Sequence, residues 1–545
     1  MGFDAIIIGS GFGGSVAACR FAEAGMRVLV LERGRRWDNQ PGPGVTPYPR
    51  APGDPWVWDQ QRPETWNGWL DLRLFRGMAV AQGAAVGGGS LIYASISAEA
   101  PAAVFDRGWP AEINRAELQP FYDRVAEFMD VQFLPANQWN PRIQLMQQAA
   151  GKIGAGNRFR PLPIAVNFDP RLQLDPEHPP ALTDTVYKAN RHGVTQGTCV
   201  HTGACDIGCP VKAKNTLDLN YLAVAERHAA EVRPLHLVRH LERAGGGYRV
   251  SFDRLEGGRR IPGHEDAAIV IVAAGSLGST ELLLRCRDEV KTLPGLSRRL
   301  GRNWSCNGDF LVPAFYRDRE MRPEVGPTIS SAIDYLDRSR NGQSFWVQDG
   351  GLPPVFRHHA QAAQASQPGV QAGSHPFEAL IRWLQGELRH ADPIPHIMPW
   401  FAQGVDAGNG QFQLRRPWLF FGQPRLNLQW ESRASQPLFQ TIVDTHRELS
   451  HSTGGVPLAS PFWKEWLVTP HPLGGCGMGR TAADGVVAHT GEVFGYQNLF
   501  VLDGSMVPTP LGVNPSRTIA ALAERCAAMI VRHRSPGAGA AAGGS

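Results

Sequence analysis

Long apolar runs are missing from this chain. Nowhere do about 18 hydrophobic residues follow one another, the length a membrane-crossing helix needs, so no transmembrane segment is expected. Cysteine is sparse, eight in 545 residues (19, 199, 205, 209, 286, 306, 476 and 526), and mostly scattered. That argues against a disulfide framework and for a reducing setting. Lysine is scarce, arginine is dispersed, and the formal charge is only +4. No basic stripe can therefore follow a phosphate backbone, and nucleic acid is not an expected partner. The start, Met1-Gly2-Phe3-Asp4, lacks the basic segment and apolar core of a secretory signal. Gly2 has no Ser or Thr where myristoylation prefers one. The expectation is a soluble cytoplasmic protein, long enough for two or three domains.

What is present begins with a β-α-β pattern. Asp4–Ile8 reads as a strand, Ser15–Ala24 as a helix closed by Gly25, and Arg27–Leu31 as a second strand ending at Glu32. Between the first strand and the helix stands Gly9-Ser10-Gly11-Phe12-Gly13-Gly14. In that context the first glycine allows a tight turn and the second lets backbone approach a pyrophosphate. The third, Gly14, lets the helix pack on the sheet. The helix N-terminus offers free N–H groups to phosphate, and Glu32 can accept from a ribose diol. Gly9, Gly11, Phe12, Gly13, Gly14 and Glu32 are thus candidate cofactor residues, for FAD or NAD alike.

From Trp37 to about Arg76 the chain is rich in Pro, Trp and Gly and reads as a long loop, a lid or part of a site. A second glycine cluster runs Val86-Gly87-Gly88-Gly89-Ser90-Leu91. Helical pieces are expected over 106–160 and 216–230, and an antiparallel meander at Val232–Val238 and Tyr248–Phe252. The apolar run Ala268–Ala274 suits a parallel strand buried on both faces. It leads through Gly275-Ser276-Leu277-Gly278-Ser279 into a short helix. Residues 310–465 look least regular, although Gln411–Leu414 and Arg425–Trp430 suggest a separate antiparallel sheet. Leu499–Leu502 is a further strand, ending at Asp503-Gly504. A final helix spans about Pro515 to Arg534, and the Gly/Ala-rich tail 536–545 is expected to be disordered.

Two features near the far end carry chemistry. His471-Pro472-Leu473-Gly474-Gly475-Cys476 sets a histidine beside a flexible turn, and histidine is the usual base for an alcohol proton. Val513-Asn514-Pro515 opens the last helix, where Asn is a good N-cap and Pro suits the first helical position. Asp503 before Gly504 reads as a turn residue. A third feature, Cys199-x5-Cys205-x3-Cys209-Pro210, gathers three thiols. Such a loop suits an iron–sulfur cluster, zinc with His201, or free or disulfide-bonded thiols.

The opening motif, Val86–Leu91, Ala273–Ser279, His471–Cys476 and Val513–Pro515, in that order, resemble the glucose-methanol-choline (GMC) oxidoreductases, most closely their cholesterol-oxidase-like branch. The resemblance covers both ends and several islands, about half of the chain. It implies FAD, with Gly87, Gly88, Gly89 and Ser90 approaching the flavin and Ala274, Gly275, Asp503, Gly504, Asn514 and Pro515 also at the cofactor. It implies His471 as catalytic base and Asn514 as the group that orients the substrate oxygen. The substrate implied is a sterol or other bulky hydrophobic alcohol, with oxygen or a protein or quinone as electron acceptor. The cysteine loop resembles that of GMC dehydrogenases carrying a [3Fe-4S] cluster on Cys199, Cys205 and Cys209. It also resembles a four-cysteine loop of cholesterol-oxidase-like relatives, with Thr202 at the second cysteine position. Members that also isomerise their product use a carboxylate in the substrate domain, and the comparable stretch Ile397–Phe401 carries no acid.

The expected fold is α/β: a Rossmann-like FAD-binding domain assembled from discontinuous segments (1–105, 200–310 and 466–535), plus a substrate or cap domain with an antiparallel sheet (106–199 and 311–465). The rivals are an iron–sulfur dehydrogenase and, more distantly, a flavin-binding protein with no alcohol chemistry.

Overall fold

The computed structural model describes residues 2–37, 57–354, 357, 385–386, 388–416, 424–458 and 467–534. The expected disordered tail at 536–545 and the middle of the expected loop at 37–76 lie outside the described residues.

Ala5, Ile6, Ile7 and Ile8 are all buried, as a continuous apolar run requires when helices cover both faces of a sheet. The sheet built around them has the order Glu231–Arg233, Val28–Leu31, Phe3–Ile8, Arg259–Val272, Gly247–Glu256, His236–Ala244, and Leu499–Val501 also pairs with Arg259–Val272. The strand Arg259–Val272 changes partner type along its length. Its residues up to Ala267 run antiparallel to Gly247–Glu256, and its apolar end runs parallel to Phe3–Ile8 and to Leu499–Val501. The expected meander is therefore real but shorter at its start. Glu231–Arg233 pairs parallel with Val28–Leu31, and only His236–Ala244 pairs antiparallel with Gly247–Glu256. Pro234, which has no N–H to donate, separates the two strands.

Helix Phe12–Glu23 leaves the sheet directly from the glycine turn, and Gly25 follows its end at φ +77°. The last helix, Ser516–Arg534, packs against it. Arg20 grips Glu524 through Nε (2.8 Å) and Nη2 (2.7 Å), and the Tyr221 hydroxyl donates to the same carboxylate (2.8 Å). Glu524 is fully buried, so this cluster joins the two ends of the chain to the short helix Tyr221–Arg227. The helical readings over 106–160 resolve as Arg115–Phe128 and Pro141–Lys152.

Residues 310–465 are more regular than expected. Five of their strands join Phe159–Pro161 in an antiparallel sheet ordered Val456–Pro457, Phe310–Phe315, Ile397–Gly404, Gln343–Asp349, Ser331–Arg340, Phe159–Pro161. Pro313 lies opposite Pro399 in this sheet, and proline in a central strand hides a ladder from a pattern reading. Gln411–Arg415 and Arg425–Gln429 form the separate two-stranded sheet that was expected. The region 37–76 also contains a strand. Leu70–Phe75 pairs with Met78–Gly83, whose other edge takes Leu467–Thr469 in parallel. Among the described residues, no helix is long and apolar enough to cross a membrane. All eight cysteines are free thiols.

Replacing Glu524 by Ala leaves Arg20 without its buried partner, which costs about 3 kcal/mol. Calorimetry should show the thermal midpoint falling by several degrees; a midpoint shifted by less than about 1 °C would remove this cluster from the account.

Candidate active site

The C-terminal ends of Phe3–Ile8, Val28–Leu31 and Arg259–Val272 open onto a cavity of about 700 Å³. Such crevices at strand ends are where doubly wound sheets bind ligands. One end is walled by the glycine turn. Gly9 holds φ +98°, and a Cβ there would meet the Ala273 carbonyl oxygen at 2.4 Å. At Gly13 an added Cβ would lie 1.6 Å from the Leu502 carbonyl oxygen, so only glycine lets the first helix sit against the last strand. Glu32 accepts from Ser10 N (3.0 Å), Ser10 Oγ (2.7 Å) and Gly34 N (2.9 Å), which fixes its carboxylate at the cavity wall with lone pairs to spare.

Most of the expected cofactor residues meet there. Gly9, Gly11, Phe12, Gly13, Glu32, Gly88, Gly89, Ala274, Gly275, Asp503, Gly504, Asn514 and Pro515 all line this one cavity. Gly14, Gly87 and Ser90 stand behind the wall instead. The Gly87 N–H donates to Ser10 Oγ (3.1 Å), and Ser90 Oγ donates to Gly87 O (2.7 Å), so they hold the shape of the loops that do line it. Asp503 takes Gly275 N (2.8 Å) and Ser279 Oγ (2.5 Å) on one oxygen, and Ser505 N (2.8 Å) on the other. Burial raises its carboxyl above the ordinary range, opposed by these donors. The cavity also has lining residues that sequence reasoning missed: Trp58, Gln60, Arg73, Arg239 and Glu281. Burial would raise Glu281, but Arg73 and Arg285 hold it below its usual value.

His471 lines the same cavity. Its Nδ1 lies 3.0 Å from both oxygens of Asp309, whose side chain is fully enclosed. Asp309 also accepts from Thr469 Oγ1 (2.6 Å), and Thr469 Oγ1 in turn accepts from the His471 N–H (3.0 Å). Desolvation raises the Asp309 carboxyl; the hydrogen bonds of His471 and Thr469, and the charge of the His471 ring when it is protonated, oppose that rise. Two amides face the ring. Gln348 Nε2 donates to Asn514 Oδ1 (2.8 Å), which turns the Asn514 Nδ2 toward His471 Nε2 (3.3 Å). Trp346 Nε1 donates to Gln403 Oε1 (2.9 Å), which turns the Gln403 Nε2 toward the ring, 3.4 Å from Nε2.

An amide N–H needs a lone pair and a carboxylate needs a proton. The neutral ring that meets both carries its proton on Nδ1, toward Asp309, and its lone pair on Nε2. The contact of Gln403 Nε2 with Nδ1 at 3.0 Å is then a close approach without a bond. Asn307, two residues before Asp309, secures the other half of the site. It accepts from Leu511 N (3.0 Å) and Gly512 N (2.9 Å) and donates to Val513 O (2.8 Å), fixing the approach to Asn514. Asp309, Gln403 and Gln348 were not found from the sequence, because each sits on or beside the antiparallel sheet, far along the chain from His471. The wall beyond the ring is apolar: Phe310, Leu311, Ile329, Leu352 and Phe401.

The cysteine loop does not form the expected metal centre. Among the described residues, no group of three or more His, Cys, Asp or Glu side chains is arranged to hold a metal ion. Cys199 Sγ accepts from His201 N (3.4 Å), and Cys209 Sγ accepts from Ala213 N (3.2 Å). Burial pushes the Cys199 and Cys205 thiols up. His201 pairs its Nε2 with Gln138 Oε1 (3.0 Å), and its buried Nδ1 has no hydrogen-bond partner.

Known proteins agree with this geometry. Residues 421–523 match the family described as GMC oxidoreductase, and residues 7–39 match an NAD(P)-binding Rossmann-like domain. The chain is 30% identical to a cholesterol oxidase of Acinetobacter baumannii, over 97% of this chain and 94% of that one. A cholesterol oxidase of Mycobacterium tuberculosis is also 30% identical, over 97% and 91%. Among solved structures, a pyridoxine 4-oxidase from Mesorbium loti superposes with a TM-score of 0.63 at 16% identity, over 97% of this chain and 99% of that one. The chain belongs to the GMC oxidoreductase family, in its cholesterol-oxidase-like part, and is an FAD-dependent oxidoreductase. The wall fits that cofactor: glycines where a Cβ would collide, a carboxylate at the end of the second strand, and the N-terminus of a long helix facing the cavity.

Exchanging Asp309 for Asn supplies a group that donates as well as accepts, and the ring can then turn its lone pair to the wrong nitrogen. Stopped-flow flavin reduction by an alcohol should slow about 10²-fold with the flavin spectrum retained. A rate within twofold of wild type would mean that Asp309 does not set the ring.

Proposed function

We propose that this chain oxidises a bulky, apolar alcohol, a sterol or one comparably hydrophobic. The carrying observation is the Nε2 lone pair of His471, held by Asp309 on its other nitrogen and facing an apolar cavity continuous with the glycine cradle. Bound FAD would supply the hydride acceptor. His471 takes the hydroxyl proton at Nε2 as the C–H bond breaks, and the imidazolium so formed rests against the Asp309 carboxylate. Asn514, oriented by Gln348, donates an amide N–H to the substrate oxygen and keeps it in line with His471. Moving the Asn514 amide from Nε2 to the substrate oxygen is the local change that substrate entry requires.

Residues 1–105, 200–310 and 466–535 then hold the cofactor, and 106–199 with 311–465 cover the substrate. The pairing of Phe159–Pro161 with Ser331–Arg340 supports that division. The substrate class rests on the apolar lining and on relatives whose names are cholesterol oxidase and long-chain-alcohol oxidase. Oxygen is the acceptor that those names favour. A relay through an iron–sulfur cluster has less support, because two of the three sulfurs of the 199–209 loop turn to their own backbone.

The test is the visible spectrum of the purified protein, before and after anaerobic addition of a 3β-hydroxysteroid. Flavin bands that bleach, and that bleach at least about 10²-fold more slowly with His471→Ala, are the expected outcome. Flavin bands that persist with steroids and with long-chain and aromatic alcohols alike would contradict alcohol oxidation.

A further inference from the structure

One acidic side chain in the reaction chamber has no part in this chemistry. Asp206 sits in the single turn Cys205–Ile207, between two of the loop cysteines. It lines the same cavity as His471, Asn514, Thr328 and Phe401. The residue keeps some accessible surface, yet protein encloses its carboxyl so fully that desolvation pushes it up to about 6. The two facts agree if the bare surface looks into the cavity and not outward.

The cations near it are committed elsewhere. The Lys214 ammonium, pushed down to about 8 by burial, donates to Leu91 O (2.9 Å) and Cys205 O (2.5 Å) and lies over the Tyr93 ring. Arg142 is fully buried and donates to the carbonyls of Thr328 (3.0 Å), Val325 (3.1 Å), Pro327 (2.7 Å) and Asp349 (2.5 Å). His471 acts on Asp206 only at a distance, as a charge when its ring is protonated, and Thr328 is a hydrogen-bonding neighbour. Among the described residues, no cation reaches ion-pair distance of this carboxyl. A buried carboxyl that faces a cavity with acceptor capacity left over after Thr328 costs free energy until a ligand supplies a further donor.

A wholly apolar substrate would leave that cost standing. Resting on the alcohol-oxidation reading above, we propose that Asp206 determines specificity by accepting a hydrogen bond from a second donor on the substrate. The preferred substrates are then hydrophobic alcohols carrying a further hydroxyl or an amino group near the carbinol carbon. The chamber would read two polar points on one apolar skeleton: the reacting hydroxyl at His471 and Asn514, and the second donor at Asp206. A site built to pair such a donor discriminates against the analogue that lacks it, because its own buried acceptor is then left unpaired.

The experiment takes a series of ring alcohols on one skeleton: the mono-alcohol, diols with the second hydroxyl at successive positions, and the matching amino alcohols. Two ratios to the mono-alcohol are measured for each compound in the FAD-loaded enzyme. One is kcat/KM for anaerobic flavin reduction, and the other is equilibrium dissociation read from perturbation of the oxidised flavin spectrum. Wild type should favour at least one diol or amino alcohol by about 10-fold or more. Asp206→Leu should bring that ratio near one, and Asp206→Asn, which preserves shape, should reduce it and cut the amino-alcohol preference most. A preference for hydroxyl over amino partners, or the reverse, identifies which donor the site takes. Equal ratios in wild type and Asp206→Leu would overturn the inference. So would a shifted flavin midpoint potential in Asp206→Leu with unchanged ratios, since the carboxyl would then serve the cofactor. If no alcohol bleaches the flavin, alcohol oxidation falls, and the binding ratios alone decide the role of Asp206.

Discussion

A histidine can act as a base toward a substrate only if something keeps its lone pair on the nitrogen that faces that substrate, and here Asp309 does so. The carboxylate lies 3.0 Å from Nδ1, sealed from solvent, and Thr469 and the His471 backbone close a small ring of hydrogen bonds around it. The turn that carries Asp309 also carries Asn307, which clamps the backbone leading to Asn514. One short turn just before Phe310–Phe315 therefore positions both the His471 ring and the Asn514 amide. The geometry of that pair depends less on the motif around His471 than on where residues 305–309 are held.

The same logic recurs around the cavity. Buried carboxylates are costly unless they are paired or hydrogen-bonded, and this wall holds several that are. Glu32 is satisfied by Ser10 and Gly34, Asp503 by Gly275, Ser279 and Ser505, and Glu281 by Gln60 and Arg285. Each therefore stands in one fixed place, which is what a site needs to receive a large cofactor without rearranging. Asp206 departs from this pattern, and that departure gives it meaning.

The sequence disclosed what is local. The glycine turn, the strand before it, the helix after it and Glu32 lie within one β-α-β unit, so spacing alone defines their geometry. The residues that tune the chemistry are not local. Asp309, Gln348 and Gln403 come together only when Phe310–Phe315, Gln343–Asp349 and Ile397–Gly404 pair, and prolines at 313 and 399 break the alternation that would reveal those strands. Leu70–Phe75 did carry a signal, since its apolar and polar residues alternate, but the surrounding Pro and Trp obscured it. The cysteine spacing misled for another reason: it gives the number of thiols and not their direction. Two of the three sulfurs turn to their own backbone.

The central claim is the state of the His471 ring, and nitrogen NMR of histidine-labelled protein reads it directly, with His471 assigned by its loss in a substituted variant. The account predicts a neutral ring in the resting enzyme, with the proton on Nδ1 in a strong hydrogen bond and an unprotonated Nε2. A proton found on Nε2 with Nδ1 bare would contradict it, because Asp309 would then have nothing to accept and the substrate would meet a donor instead of a base.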